Sequence, residues 1–316
     1  MGAVLGRLLS PTAATVRALA LASVVANLGI VVTGGAVRLT ASGLGCPTWP
    51  SCTDDSWTPT QEYGLHGLIE FGNRLLTYVL VAVALATLVA AWRHRPVRQD
   101  WQRLAVVLFL GIPAQGVIGG VTVLTDLNPW VVMLHFLCSM VLIGLATVLL
   151  ARTQEPEGPS RLLVHPLLHR LAVGTLGVLV VVLYLGTVLT GSGPHAGDAD
   201  ARRTGLDPLL MSQLHADGVF LLVGLTVALL VALHAGGAPS AARRAAAVLL
   251  ALELAQGTVG YLQLFTGLPV VLVAVHMLGA GLLVVAAVRA VLALRSRATP
   301  AADVPRPALA GSARNA

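Results

Sequence analysis

Three histidines lie inside long apolar segments of the sequence, where they could bind a metal group. His135, His215 and His276 each follow a proline by six or seven residues. At ~1.5 Å per residue of helix, all three would lie roughly 10 Å below the same membrane surface. A polar residue in lipid is costly, so it usually has a function, although a hydrogen-bonded packing role is the plain alternative. Imidazoles on facing helices suit the two axial positions of a heme iron, whereas zinc usually needs three or four close ligands.

A second polar group lies within the apolar segment 64–91. His66, Glu70 and Asn73 fall on one face of a helix. Glu70 and Arg74 are four residues apart and could form an ion pair, which would offset the cost of burying a carboxylate. The pattern therefore indicates either a carboxylate available for proton transfer or a purely structural ion pair.

These residues need a scaffold that crosses a membrane. Hydrophobic residues make up 56% of the 316 and charged residues only 11%, which is far more apolar than a soluble domain. Apolar segments near the length of a bilayer core should be helices, because lipid offers no partners to backbone polar groups. The sequence predicts eight spans, at about 14–37, 64–91, 102–124, 130–151, 168–190, 209–235, 244–266 and 269–293.

The positive charge of the chain comes from arginine alone, and its placement predicts the orientation. The net charge is +6, yet the arginines lie between the spans and form no basic patch, so we expect no nucleic-acid partner. They concentrate in the loops after spans two, four, six and eight, which predicts that both termini are cytoplasmic. The long loops 38–63 and 191–208 would then face outward. The first apolar run is interpreted as a retained anchor rather than a cleaved signal peptide.

The sequence contains an internal repeat. The segment from Ala114 to Gly119 matches 255–260, and each glutamine in it precedes a histidine by 20 residues. Spans one and five end in similar Thr-Gly pairs, Thr33-Gly34 and Thr190-Gly191. We predict an all-α membrane protein of two tandem four-helix bundles related by a pseudo-two-fold axis. The halves would be residues 1–155 and 156–297, followed by a disordered tail over 298–316.

Cys46 and Cys52 lie in the first outward loop. Because that loop faces an oxidising compartment, we expect a disulfide between them. It could be redox-active or could simply staple the loop.

The segment from Thr33 to Cys46, followed by Trp49-Pro50-Ser51-Cys52, is a specific sequence motif. Together with the two Gln-Gly helices that each lead to a histidine, it resembles the heme A synthase family, over residues 15–295. The resemblance implies an oxidoreductase that converts the C8 methyl group of heme O to the formyl group of heme A, for terminal cytochrome oxidase. It further implies that His215 and His276 ligate a permanent heme b in the second half.

The resemblance also implies that the first half holds the substrate heme. His135 would be its iron ligand, and Glu70 and Arg74 belong to the family motif Glu-x-x-His-Arg. Asn73 stands where that motif has its histidine. Because asparagine is a poor iron ligand, either one histidine holds this heme or His66, two turns outward, substitutes.

The mechanism expected from these residues is a two-step oxidation of the methyl group. Glu70 would stabilise positive charge or accept protons, and electrons would leave through the second-half heme. Arg38 and Arg74 could pair with heme propionates. The rival functions are a non-enzymatic diheme cytochrome b that carries electrons from quinol, and a heme or lipid transporter. Glu70 favours the enzyme, because an electron carrier needs no carboxylate there.

The expected surroundings follow from this function. The protein would reside in the plasma membrane of a bacterium, in contact with heme O, heme A and lipid. Heme O synthase and cytochrome oxidase assembly factors are the expected protein partners, and a homo-oligomer is an open possibility.

Overall fold

The computed structural model describes residues 11–297, and within that range the chain is built on eight long helices. Each of them is long and apolar enough to cross a membrane, which confirms the predicted all-α, multi-pass architecture. The predicted tail over 298–316 lies outside the described residues. The helices are α1 Ala13–Leu39, α2 Gly64–Arg93, α3 Gln99–Leu124, α4 Pro129–Arg152, α5 Pro166–Ser192, α6 Pro208–Ala235, α7 Ser240–Phe265 and α8 Val270–Leu292.

Prolines and polar caps define where several helices begin. Pro129 is the first residue of α4 and Pro208 the first of α6, while Pro269 immediately precedes α8. Proline suits the first helical position because its missing N–H would have no partner there. The side chains of Asn128 and Asp207 accept the free N–H groups of Trp130 and Leu209, respectively. The depth of each of the three histidines is thus measured from a helix start that the sequence itself specifies.

The helices pack as two closed rings of four. In the first ring α1 contacts α2, α2 contacts α3, α3 contacts α4, and α4 returns to α1; helices α5 to α8 repeat this order. Between the rings, α4 and α1 pack against α8, and α4 packs against α5. The predicted two-fold axis and the division at residue 155 remain predictions.

The outer hairpins α3–α4 and α7–α8 use the same kind of turn. In the first, Asp126 and Leu127 have positive φ angles of 51° and 55°; in the second, Gly267 and Leu268 have 78° and 60°. Residues in this left-handed region reverse the chain within a few positions. The equal turns explain why each glutamine and its histidine, although on different helices, are separated by the same number of residues.

A short two-stranded ribbon, which the sequence analysis did not predict, lies at the predicted inner surface. Strand β1, Ser160–Leu162, pairs antiparallel with β2, Arg295–Arg297. The ribbon joins the loop between the two rings to the segment after α8. Arg297 also lies 3.7 Å from Glu155, which pairs with Arg152 at 2.9 Å.

Candidate functional site

Each of the three predicted histidines faces a glycine on the helix before it. A Cβ atom placed on that glycine would lie only 3.0–3.5 Å from the imidazole ring. Because glycine has no side chain, a ring or a flat ligand can approach the helix backbone there. The three pairs are His135 with Gly119, His215 with Gly186 and His276 with Gly260.

The ring nitrogens of these histidines are arranged for a ligand. His215 Nδ1 donates to the carbonyl oxygen of Val182 at 3.1 Å, which leaves Nε2 free to bind a metal. Nδ1 of His135 and Nδ1 of His276 are buried and have no hydrogen-bond partner within residues 11–297. Buried polar atoms without partners are rare in proteins and call for a ligand or an ordered water. His215 and His276 are also near enough for their charges to interact.

The two repeated glutamines make the same contact. Gln115 Nε2 donates to the carbonyl oxygen of His135 at 3.2 Å, and Gln256 Nε2 donates to that of His276 at 2.9 Å. Gln256 fits because Gly279 lies opposite, where a Cβ would collide with Gln256 Oε1. The glutamines therefore fix the backbone that carries each histidine.

In the internal repeat, Asn73 and His135 of the first half correspond to His215 and His276 of the second half. Asn73 thus stands where a fourth histidine would be, and its side chain is shorter. Its Oδ1 accepts a hydrogen bond from Thr33 Oγ1 at 2.8 Å. Aligning Thr33-Gly34 with Thr190-Gly191 makes Gly29 the counterpart of Gly186, which faces His215. A Cβ on Gly29 would meet nothing within 4 Å. The space beside Gly29 is therefore open, whereas the Asn73 amide lies beside Gly34, with its nitrogen 4.0 Å from a Cβ placed there.

Glu70 and Arg74 form the predicted ion pair and also hold the first outward loop. Arg74 donates to Glu70 Oε1 at 2.6 and 3.1 Å, and Glu70 Oε2 accepts the backbone N–H of Cys46 at 2.6 Å. The remaining Arg74 donors reach the carbonyl oxygens of Cys46, Thr48 and Ser51 at 2.8–3.1 Å. Glu70 is 5% exposed, so this carboxylate depends on its ion pair and hydrogen bonds for burial.

The loop held by this ion pair covers the outer end of the first ring. Cys46 and Cys52 are disulfide-bonded, as expected. Between them, the ring of Trp49 lies so close to Gly120 that an added Cβ would collide with it. Gly120 adjoins Gly119, which faces His135. Consequently the disulfide loop, the Glu70–Arg74 pair and the His135 site form one assembly.

We expect labelling of the membrane-embedded protein to find the disulfide of Cys46 and Cys52. With the free thiol Cys138 replaced by alanine, a thiol reagent should label no cysteine until the protein is reduced. Labelling of both positions without reduction would contradict the bond. The parent protein is the control, because Cys138 reports whether the reagent reaches the helices.

His66 and Arg38 lie at the outer ends of their helices. His66 is exposed at the third position of α2, and its Nδ1 is 2.9 Å from Ser42 Oγ. Arg38 donates to the backbone carbonyl of Thr190, near the end of α5, and to that of His195, in the second outward loop. Their expected roles, heme ligation by His66 and propionate pairing by Arg38, stay predictions.

Two observations bear on the type of metal group. Over residues 11–297, no three or more histidine, cysteine or carboxylate side chains cluster closely enough to hold a metal ion. Zinc sites usually need such a cluster. Paired imidazoles beside glycine-bearing helices fit the axial ligands of a flat macrocycle, so the residues present fit heme.

One buried carboxylate was overlooked in the sequence. Glu253 lies in the middle of α7, is 2% exposed, and accepts a hydrogen bond from Thr226 Oγ1 at 2.8 Å. A single carboxylate within an otherwise apolar segment is the signal that would have identified it.

Comparison with known proteins adds an independent line of support. The family model described as COX15-CtaA, cytochrome oxidase assembly protein, matches residues 17–199, which is more than half of the chain. The heme A synthase of Geobacillus thermodenitrificans is 34% identical over 124 residues, covering 38% of this chain and 37% of that protein. The heme A synthase of Shewanella oneidensis is 29% identical over 180 residues, covering 52% and 53%, respectively.

A further relative shows similar coverage. The heme A synthase of Geobacillus kaustophilus is 35% identical over 133 residues, or 41% of this chain and 40% of that protein. The chain is thus matched over about half, or less, of the length of these curated relatives.

Proposed function

The chain belongs to the COX15-CtaA family of cytochrome oxidase assembly proteins, and on that premise we propose that it is a heme A synthase. It would oxidise the C8 methyl group of heme O to a formyl group, giving heme A for terminal cytochrome oxidase. The relatives named heme A synthase support this proposal. The observation that carries it is the asymmetry of the two rings. The second has two histidines against glycines, whereas the first has one histidine against a glycine, Asn73 in place of the other, and a buried carboxylate paired with Arg74.

In the second ring, His215 and His276 would hold a permanent heme b. Bound there, heme b supplies a one-electron redox centre. The bond from His215 Nδ1 to Val182 orients the first imidazole. Gln256 holds the backbone that carries the second imidazole. The first imidazole is thus oriented through its own ring nitrogen, and the second through the position of its helix.

In the first ring, His135 would bind the iron of the substrate heme O. With Asn73 in place of a second histidine, the other face of that iron stays open or is reached by His66. Glu70 would be the catalytic acid–base group and would accept protons as the methyl carbon is oxidised, with electrons passing to the second ring. Arg74 donates to Glu70, and both residues hold the loop that carries Trp49.

The remaining surroundings are part of the same proposal. Both termini would face the cytoplasm and the disulfide loop would face outward, in a bacterial plasma membrane. Heme O synthase and cytochrome oxidase assembly factors would be its partners, and the protein could form a homo-oligomer.

Analysis of the bound pigments tests the proposed function. Protein purified from cells that make heme O should yield heme b together with heme O, its hydroxylated form and heme A on extraction and mass analysis. Cells lacking the protein should accumulate heme O. A protein that contains only heme b, two molecules per chain, and leaves heme A levels unchanged would instead be the diheme electron carrier.

Asn73→His should add a second low-spin heme signal to the purified protein. The open space at Gly29 leaves room for an imidazole, and His135 would supply the opposite ligand. Asn73→Gln is the matched control and should leave the spectrum unchanged. An Asn73→His protein with an unchanged spectrum would exclude this position from the iron.

His66→Ala tests whether His66 substitutes for the missing ligand. If it does, less heme should be retained in the first ring, and adding Asn73→His should restore it. A normal yield of heme A from His66→Ala would exclude His66 as an iron ligand and leave it only its hydrogen bond with Ser42.

A further inference from the structure

Glu253 is buried in the second ring without a cation beside it. One carboxylate oxygen accepts from Thr226, whereas Oε2 is buried and has no hydrogen-bond partner over residues 11–297. Glu253 differs in this respect from Glu70, which forms an ion pair with Arg74. Burying such a group is costly, so a feature beyond packing is needed to explain it.

The internal repeat shows that packing alone does not require a carboxylate here. Counting from the two glutamines, Gln115 and Gln256, the counterpart of Glu253 is Ile112. Counting from Asn73 and His215, the counterpart of Thr226 is Ala84. Ile112 and Ala84 are both buried in the first ring. The same place in the same kind of ring is thus filled by apolar side chains, and only the second ring has the hydroxyl–carboxylate pair.

A polar stripe leads from Glu253 toward the predicted outer surface. Glu253, Gln256, Gly260 and Gln263 are spaced three or four residues apart and share one face of α7. Gly260 faces His276 and lies about 10 Å along the helix from Glu253. Gln263 Oε1 is another buried oxygen without a partner within the described range. This stripe offers water a line of polar contacts from the outer surface to Glu253.

Apolar side chains close the opposite direction. Inward from Glu253, the α7 stripe continues with Leu249, Ala246 and Ala242, all 1% exposed. On α6, Leu229 and Leu233 lie inward of Thr226 and are also 1% exposed. The polar stripe of α7 therefore approaches Glu253 from the side of the His276 site, and the inner side is packed with apolar side chains.

The titratable groups on the helices next to α7 either lie in the proposed heme site or are exposed, whereas Glu253 is buried. Helix α7 packs against α6 and α8. His215 and His276 lie outward, in the proposed heme site, and Asp217 is exposed. The remaining titratable groups, His234 and Arg289, are exposed near the inner helix ends.

Resting on the proposed heme site of the second ring, we propose that Glu253 is the proton-binding site that accompanies reduction of that heme. One electron from substrate oxidation and one proton from the outer side convert the ferric heme and the Glu253 carboxylate to the ferrous heme and the carboxylic acid. The added electron makes the site more negative, and in a medium of low dielectric constant a proton within about 10 Å offsets much of that charge. Thr226 Oγ1 holds the carboxyl group in place.

Redox titration of the purified holoprotein at several pH values tests this. In the wild type, the equilibrium constant for reduction should fall tenfold per pH unit over the range in which Glu253 exchanges its proton. In Glu253→Gln the bound heme and its spectrum should be retained, and this dependence should disappear. Asp217→Asn, which removes the exposed carboxylate of α6, is the matched control and should behave as the wild type.

An infrared difference spectrum gives a second readout, and its first result needs only the wild-type protein. Reduction of the wild-type protein should produce the carbonyl band of a protonated carboxyl group, and Glu253→Gln should lack that band. The role of Glu253 would be overturned, with the proposed function left intact, if heme reduction depended equally on pH in the wild type and Glu253→Gln. The absence of the carbonyl band in the wild type would have the same meaning. A wild-type protein without low-spin heme would overturn the proposed function as well.

Discussion

His276→Ala should abolish the low-spin heme signal of the second ring while the protein still inserts and folds. A low-spin b-type heme needs both axial imidazoles, and His215 alone cannot maintain that state. The backbone carbonyl that Gln256 contacts is retained in the variant, so the helix should keep its place. Visible spectra and heme content per protein, measured after purification in mild detergent, check this result.

His234→Ala is the matched control for that experiment. His234 is exposed at the inner end of α6, where its Nδ1 contacts only the carbonyl of Leu230, on its own helix. Its removal should leave the spectrum intact. If His276→Ala kept a normal low-spin spectrum, the pairing of His215 with His276 would be wrong.

Glu70→Gln should reduce heme A formation by two orders of magnitude or more, within the ~10²–10⁴-fold range typical of general acid–base groups. The variant should retain bound heme, because glutamine still offers an oxygen to the Cys46 N–H and keeps the loop in place. Heme O or its hydroxylated form should accumulate. Mass analysis of extracted hemes measures both the stall and the step at which it occurs.

A structural role for Glu70 would give a different pattern. If the carboxylate served only to hold Arg74 and the loop, Glu70→Gln would form heme A normally, with a loss of stability as its main effect. Glu62→Gln is the control, since Glu62 is an exposed carboxylate just before α2. Accessibility of the Cys46–Cys52 disulfide to reductant reports whether the loop stays in place in each variant.

The membrane architecture could be predicted from the sequence because each element has a local signal. An apolar run of sufficient length must become a helix in lipid, and prolines such as Pro129 and Pro208 indicate where helices begin. The depth of the three histidines follows from counting residues after those starts. Their glycine partners, in contrast, depend on how neighbouring helices rotate against each other, which one-dimensional periodicity does not specify.

The polar network around Glu70 shows the same limit. The spacing of Glu70 and Arg74 predicted their ion pair, but not that Arg74 would also bind three carbonyl groups of the disulfide loop. Those contacts join residues more than twenty positions apart through the loop's irregular backbone. Glu253 was missed for another reason: counting spans treats one carboxylate among apolar residues as tolerable, although its burial is the informative property.

The ribbon of β1 and β2 can form only late in synthesis, and under the proposed function the same holds for the heme b site. Strand β2 follows α8, so the ribbon can close only after the ribosome has made the last membrane span. Until then the second ring lacks α8, and His215 has no imidazole opposite it. Because the first ring needs only α1 to α4, it can close while the second is still being translated. Heme b loading would therefore be a post-translational event, whereas the substrate ring is complete much earlier.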